Sequence, residues 1–217
     1  MRSPSERSFL HTAGLQRRVW SLPCYALAAL VGACSSGPPP ATFDLSAPAA
    51  RVRSSLGLQV LVQEPAAVQA LAGQQIIVRD ASGAISFLGG AQWAASLPSL
   101  VQTRLVHTFE NSSQIRAVAL PSSGATSDLT LSSELRSFQV VTPAGEALVQ
   151  IAVRMISSQS GRIVAGRIFT ARVPIAAIDG PNAARGLDEA LSAGMLDIVR
   201  WVSSGRPAAR ARQSAAL

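Results

Sequence analysis

Two histidines, two cysteines and twelve carboxylates are the groups with which this 217-residue chain could do chemistry. His11 sits in the arginine-bearing N-terminal stretch, and His107 stands alone in the apolar helical pattern Leu105–Phe109. A lone imidazole of that kind reads as a surface or core-edge residue, and without a second histidine or a cysteine beside it a transition-metal site is not expected. A Ser-His-Asp arrangement can be drawn from His107, Asp128 and any of many serines, but no Gly-x-Ser-x-Gly elbow supports it. Asp188, Glu189 and Asp197 recur along a C-terminal helical pattern; the first two read as helix surface near its start, where acids favour the dipole. Gly89-Gly90 lacks the following Gly and Lys of a phosphate-cradling loop, so no nucleotide site is expected. These readings point to a protein that is not an enzyme and holds no cofactor. What remains is the thiol of Cys34.

Cys34 closes the run Leu30-Val31-Gly32-Ala33-Cys34-Ser35. Arg2, Arg7, Arg17 and Arg18 precede an almost wholly apolar stretch from Val19 to Gly32. Fourteen residues are too few to cross a hydrocarbon core of roughly 30 Å as a helix, and they match a secretory signal. Arg17-Arg18 invites a twin-arginine reading, but the rest of that motif is missing. Small residues before a cysteine resemble a bacterial lipobox. That resemblance implies that the thiol receives a diacylglycerol, that cleavage falls between Ala33 and Cys34, and that Cys34 becomes the acylated N-terminus. The covalent lipid would then be the only group carried. Ser35 after the cysteine, rather than Asp, resembles an outer-membrane sorting signal.

Removing residues 1–33 deletes four arginines and Glu6, lowering the net charge from +7 to +4. Arg206, Arg210 and Arg212 lie in a C-terminal tail, 204–217, expected to be disordered and solvated. No basic patch interleaved with aromatics is visible, so nucleic acid is not an expected partner. Cys24 would leave with the signal and Cys34 would be consumed by lipid, so the mature domain has no disulfide. Its stability must come from a packed core, for which 56–203 is long enough.

The elements follow from periodicity. Ser35 to Pro40 and the Ala-, Ser-, Pro- and Arg-rich stretch to residue 55 read as one extended spacer after Cys34, with a reach of at most about 70 Å. Gly57–Gln63 reads as a first strand, Ala66–Ala72 as a helical turn or two, and Gln75–Arg79 with Ala84–Leu88 as a hairpin around Asp80-Ala81-Ser82-Gly83. Gly89-Gly90 is expected to break that second strand. Trp93, Leu97, Leu100, Val101, Leu105 and Phe109 fall at helical spacing, with Pro98 at a start or a kink. A short strand at Ile115–Leu120 precedes three long ones, Asp128–Val141, Ala147–Ile156 and Arg162–Val173. In the first, Leu129, Leu131 and Leu135 are out of phase with Phe138 and Val140, which predicts a bulge near Ser137. In the last, Ile163, Ala165, Phe169, Ala171 and Val173 form the expected inward row, broken by Arg167. Asn182–Val202 is a second amphipathic helix. The fold class expected is α+β: a single domain with a mainly antiparallel or mixed sheet packed against two amphipathic helices. Trp93 and Trp201 lie beside apolar helical stripes, where packing is the first reading; an exposed Trp201 would mark a partner or lipid contact.

Phe87-Leu88-Gly89-Gly90-Ala91-Gln92-Trp93-Ala94, followed by Leu97-Pro98-Ser99-Leu100-Val101-Gln102-Thr103-Arg104-Leu105-Val106, resembles the signature of the ABC-type transport auxiliary lipoproteins. Leu135-Arg136-Ser137-Phe138-Gln139-Val140, Gly166-Arg167-Ile168-Phe169 with Val173-Pro174, and Ile198-Val199-Arg200-Trp201-Val202 fit as well, so the resemblance covers essentially all of 57–203. The chain departs from it at Phe87-Leu88, where tyrosines are common, and at Gln92, where arginine is usual. The resemblance implies a mixed sheet with two helices and a non-catalytic periplasmic lipoprotein. Its partners would be an ABC permease, its ATPase and a membrane-anchored MCE-domain protein, in a system moving phospholipids or other hydrophobic molecules between inner and outer membranes. It further implies a docking role at the inner leaflet of the outer membrane, or alternatively at the inner membrane, and homo-oligomeric rings among relatives. Trp93, Arg104 and Trp201 are the candidate partner-interface residues. The rival readings are a lipid-binding carrier, an exported hydrolase and an envelope-assembly lipoprotein.

Overall fold

The computed structural model describes residues 38–49, 58–112 and 117–204. Nine strands form one mixed sheet: β1 (Ala41–Phe43), β2 (Gln59–Val62), β3 (Ala66–Ala67), β4 (Gln75–Arg79), β5 (Ile85–Trp93), β6 (Ala117–Ala119), β7 (Leu129–Val141), β8 (Glu146–Ser157) and β9 (Ile163–Pro174). Two helices, α1 (Leu97–Asn111) and α2 (Gly180–Ser203), complete the expected α+β fold of one domain. A short 3-10 turn at Gln69–Leu71 stands within the expected helical stretch Ala66–Ala72, and another occurs at Pro121–Ser123.

β7 is the spine. Along one edge it takes β2, β3 and β4 in parallel, at Leu129–Leu131, Glu134–Leu135 and Gln139–Val141 respectively. Along the other it runs antiparallel to β8, which pairs in turn with β9. β5 is antiparallel to β4, while β1 joins the outer side of β5 in parallel. The long antiparallel meander is therefore as expected, and the parallel half of the sheet is an addition to it.

The inner face follows the pleat. Leu129, Leu131 and Leu135 of β7 and Val149, Ile151, Val153 and Met155 of β8 are buried on the face that packs against α2, while α1 packs on β2, β6 and α2. The ladder slips between Leu135 and Ser137, which sets Arg136 out to solvent and lets Phe138 and Val140 return to the core. That is the bulge their phase predicts. A second slip, in β9, was not expected. Ala165 faces Met155 and Ile163 faces Ile156, so Val164 is the extra residue, and it is Val164 that turns inward while Ile163 is exposed. Arg167 stays in the inward register but lies exposed, facing Val153 across the ladder.

The helices start where their chemistry allows. Pro98 occupies the first turn of α1, where its missing N–H costs nothing. Trp93 is not on that helix but ends β5, because the helix begins only at Leu97. Asp179 caps α2, its side chain accepting from the Asn182 N–H at 2.8 Å. That hydrogen bond holds the Asp179 carboxyl below its ordinary value.

Gly89-Gly90 interrupts pairing without ending the strand. Phe87 opposes Ile77 and Gln92 opposes Gln75, so Leu88–Ala91 bulge out opposite Ile76 alone. Gly90, at φ 71°, supplies the left-handed residue such a bulge requires.

Candidate functional site

The stretch expected to be spacer as far as residue 55 is part of the domain where it is described. Ala41–Phe43 pairs with Ala91–Trp93 as β1, and the Ala94 N–H donates to the Phe43 carbonyl at 2.7 Å. Leu45, 3% exposed, is inserted into the core. The Asp44 carboxylate accepts from the Arg104 guanidinium of α1 and from its neighbouring Leu45 N–H. The Arg104 hydrogen bond, more than its Coulomb field, holds the Asp44 carboxyl below the ordinary value against a smaller opposing effect of burial. Ser46 then donates to α2, its N–H to Asp188 Oδ1 at 2.6 Å and its hydroxyl to Asp188 Oδ2 at 2.7 Å. Asn111 Nδ2 donates to the Ala47 carbonyl at 3.1 Å, closing the clamp from the end of α1.

Magnitudes rank these contacts. Burial of a leucine side chain stabilises by about 1.5–3 kcal/mol, whereas a half-exposed ion pair such as Arg104–Asp44 contributes about 0.2–1 kcal/mol. Leu45 is thus the pin, and the polar contacts set its register.

This clamp changes the reading of three residues. Asp188 is not a dipole-facing acid at a helix start: α2 begins at Gly180, its first turn carries no acid, and Asp188 binds Ser46 from the third turn. Arg104 is an internal strap between α1 and the N-terminal segment rather than an offered surface. Gln92, standing where arginine is usual in the resembling family, donates to Thr42 of β1 at 3.3 Å. The sequence signal that could have found the clamp was Phe43-Asp44-Leu45, two large apolar residues and an acid inside an otherwise small-residue stretch.

Trp93 is fully buried, edge-on to Phe138 at 5.7 Å, with its Nε1 unpartnered among the described residues. It is core, so it cannot meet a partner at the surface. His107 is half-buried on α1, and no group of three or more His, Cys, Asp or Glu that could hold a metal occurs among the described residues.

Trp201 differs. It is partly exposed near the C-terminal end of α2, edge-on to Phe169 of β9 at 5.7 Å, and Arg167 lies over the other ring at 5.1 Å. Arg167, Asp197, Arg200, Trp201 and Ser204 line an open pocket of about 270 Å³. Arg200 pairs with Asp197 at 2.6 Å, while among the described residues no carboxylate lies within ion-pair distance of Arg167. The pocket therefore presents the Arg167 guanidinium beside the Trp201 ring, with the buried Phe169 ring behind them and the Arg200–Asp197 pair at its side, an arrangement suited to an acidic or aromatic partner side chain. The sequence-predicted candidates are not brought together: Trp93 lies in the core, Arg104 in the clamp, and Trp201 alone lines this pocket.

A family model described as the ABC-type transport auxiliary lipoprotein component matches residues 42–199. The chain belongs to that family. The match to the auxiliary lipoproteins begins inside β1, in agreement with the clamp being part of the domain. An uncharacterized protein of Bradyrhizobium diazoefficiens is 29% identical over 166 residues; the alignment covers 74% of this chain and 44% of that relative. The chain thus spans less than half the length of the curated relative it matches. A crystal structure of a Xanthomonas campestris protein assigned to the family model DUF330 shares the fold of this auxiliary lipoprotein at a TM-score of 0.70, with 24% identity, covering 82% of this chain and all of that one. A second crystal structure, of an uncharacterized protein, does so at 0.61 with 18% identity, covering 76% of this chain and all of that one. Membership gives the chain the family's description, an ABC-type transport auxiliary lipoprotein component, and nothing finer. Among the described residues no helix is long and apolar enough to cross a membrane. Cys34, the cleavage site after Ala33 and the tail from residue 205 onward lie outside the described residues.

Proposed function

We propose that this chain is a lipid-anchored, non-catalytic docking component of an ABC transporter that moves phospholipids or other hydrophobic molecules between the inner and outer membranes. Cys34 carries the lipid, and the anchor lies in the inner leaflet of the outer membrane. The partners are an MCE-domain protein with its permease and ATPase, met by a ring of copies of this chain. The observation that carries the reading is the family match across 42–199, nearly the whole folded unit.

The two ends of the domain suit such a role. β1 enters at the end of the sheet where β4 and β5 turn, while α2 runs from Gly186, against Ala147, toward Trp201 beside Phe169. The anchor attaches at the first end, and the Arg167–Trp201 pocket lies farther along the sheet, opposite Ile151 and Val153 of β8, where a periplasmic partner is met.

The test is a crosslinked pull-down of the intact lipoprotein from membranes, with proteins and lipids identified by mass spectrometry. Recovery of an MCE-domain protein with permease and ATPase is the expected result, and loss of that recovery on Arg167→Glu with Trp201→Ala would assign the pocket as the contact. Recovery of envelope-assembly machinery instead would overturn the transport reading.

A further inference from the structure

The structure brings the arrival of the N-terminal chain and an exposed apolar pair to one end of the sheet. β1 is parallel to β5, with Ala41 opposite Ala91, so the chain reaches Ala41 from the side on which Ile85 and Phe87 lie. Those two residues are 45% and 52% exposed and share one face of β5, opposite Arg79 and Ile77. The β4–β5 hairpin extends beyond the β1 pairing, which involves only Ala91–Trp93.

The carboxylate at the hairpin tip is engaged by its own turn through one oxygen. The Asp80 carboxylate is folded into its own turn, accepting from the Ser82 N–H at 2.9 Å, the Ser82 hydroxyl at 2.6 Å and the Ala84 N–H at 2.9 Å. Arg79 donates to Gln139 Oε1 and to the Gly83 carbonyl, each at 3.0 Å, and leaves a cation beside the apolar pair.

Chain length then decides what this face meets. With β1 in the sheet, only seven residue steps separate Cys34 from Ala41. At about 3.3–3.6 Å per residue the span is at most about 25 Å, not the 70 Å of a spacer running to residue 55. We infer that the β4–β5 hairpin rests on the membrane that holds the anchor, with Ile85 and Phe87 against the lipid and Arg79 at headgroup level. The inference rests on the proposed lipidation of Cys34. Two side chains suffice, because a short tether holds the hairpin near the surface at an effective concentration of order mM. The contact orients the domain; the lipid retains it.

The test uses the full chain processed in cells, carrying Phe87→Cys labelled with an environment-sensitive fluorophore. It is reconstituted into phosphatidylethanolamine–phosphatidylglycerol vesicles containing brominated lipid. Gln159→Cys, in the β8–β9 turn at the opposite end of the sheet, is the comparison. Mass spectrometry of the intact protein first establishes whether Cys34 carries lipid. The expected result is a blue-shifted label at 87 that loses most of its emission to the brominated lipid, with the label at 159 unaffected. An unquenched label at 87 on a protein whose Cys34 is lipidated overturns the inference and leaves the anchor standing. An unmodified Cys34 overturns both. A blue shift at 87 that follows protein concentration in detergent and ignores the brominated lipid assigns the face to a second copy of the chain and overturns the inference as well.

Discussion

Leu45 and Asp44 are neighbours with opposite jobs, and substitution separates them. Leu45→Ala removes a buried side chain from a pinned segment and is expected to cost about 2–3 kcal/mol in urea unfolding. Asp44→Asn loses only a half-exposed ion pair and is expected to cost less than about 1 kcal/mol. A cost for Asp44→Asn equal to that for Leu45→Ala would show that the charge, not the apolar pin, holds the segment. The same carboxylate has a pH signature. Folding lowers the pKa of Asp44, as it does for Asp80 and Asp179, so their contribution is complete above the ordinary value of 3.8 and is lost as pH falls through the lower folded values. Melting temperature should therefore drop on acidification below about pH 4, and less steeply in Asp44→Asn. None of this was readable from composition: Ala, Ser and Pro around Asp44 look like a linker, and only the partners on α1 and α2 make them a clamp. The Cys34 reading is of another kind: it rests on adjacent residues alone, lies outside the described residues and stands as a proposal.

At the level of elements, two glycines of α2 with the same helical propensity should respond oppositely to alanine. A Cβ at Gly186 would lie 2.4 Å from Ile175 Cγ2 and 3.3 Å from Ala147 Cβ, whereas at Gly194 nothing lies within 4 Å. Alanine gains roughly 1 kcal/mol over glycine inside a helix, but overpacking costs about 1–3 kcal/mol. Gly186→Ala is thus expected to destabilise by about 1 kcal/mol and Gly194→Ala to stabilise by up to about 1 kcal/mol, both read from denaturant midpoints. Equal stabilisation would mean that Ile175 yields without cost. The helices and the long meander were legible because their alternation is local. The bulge at Arg136 was legible too, since two in-phase rows on one strand leave no other solution. The shift at Val164 was not, because Ile163 and Val164 are both β-branched and apolar, and only pairing with β8 chooses between them. Likewise Gly89-Gly90 signals a break in pairing but not that the chain continues extended to Trp93, which the β1 and β4 contacts determine.

Over the whole molecule, fold class and family were legible, while the parallel half of the sheet was not, because nothing within β2, β3 and β4 identifies their common partner, which is remote in sequence. That partner is β7, and everything N-terminal to it waits for it. A chain ended after Asp128 retains β1 to β6 and α1 yet lacks the strand on which β2, β3 and β4 lie. It is expected to show no cooperative thermal transition and no near-UV circular dichroism; a two-state melt would show that β4, β5 and α1 form a unit by themselves. Pairing of this range is slow, since loop closure precedes any gain from contact. During synthesis, then, residues 59–79 emerge early and lack their β7 partner until residue 141 has followed. By that time the proposed export signal has emerged, and the element order would keep the chain threadable for the export proposed here.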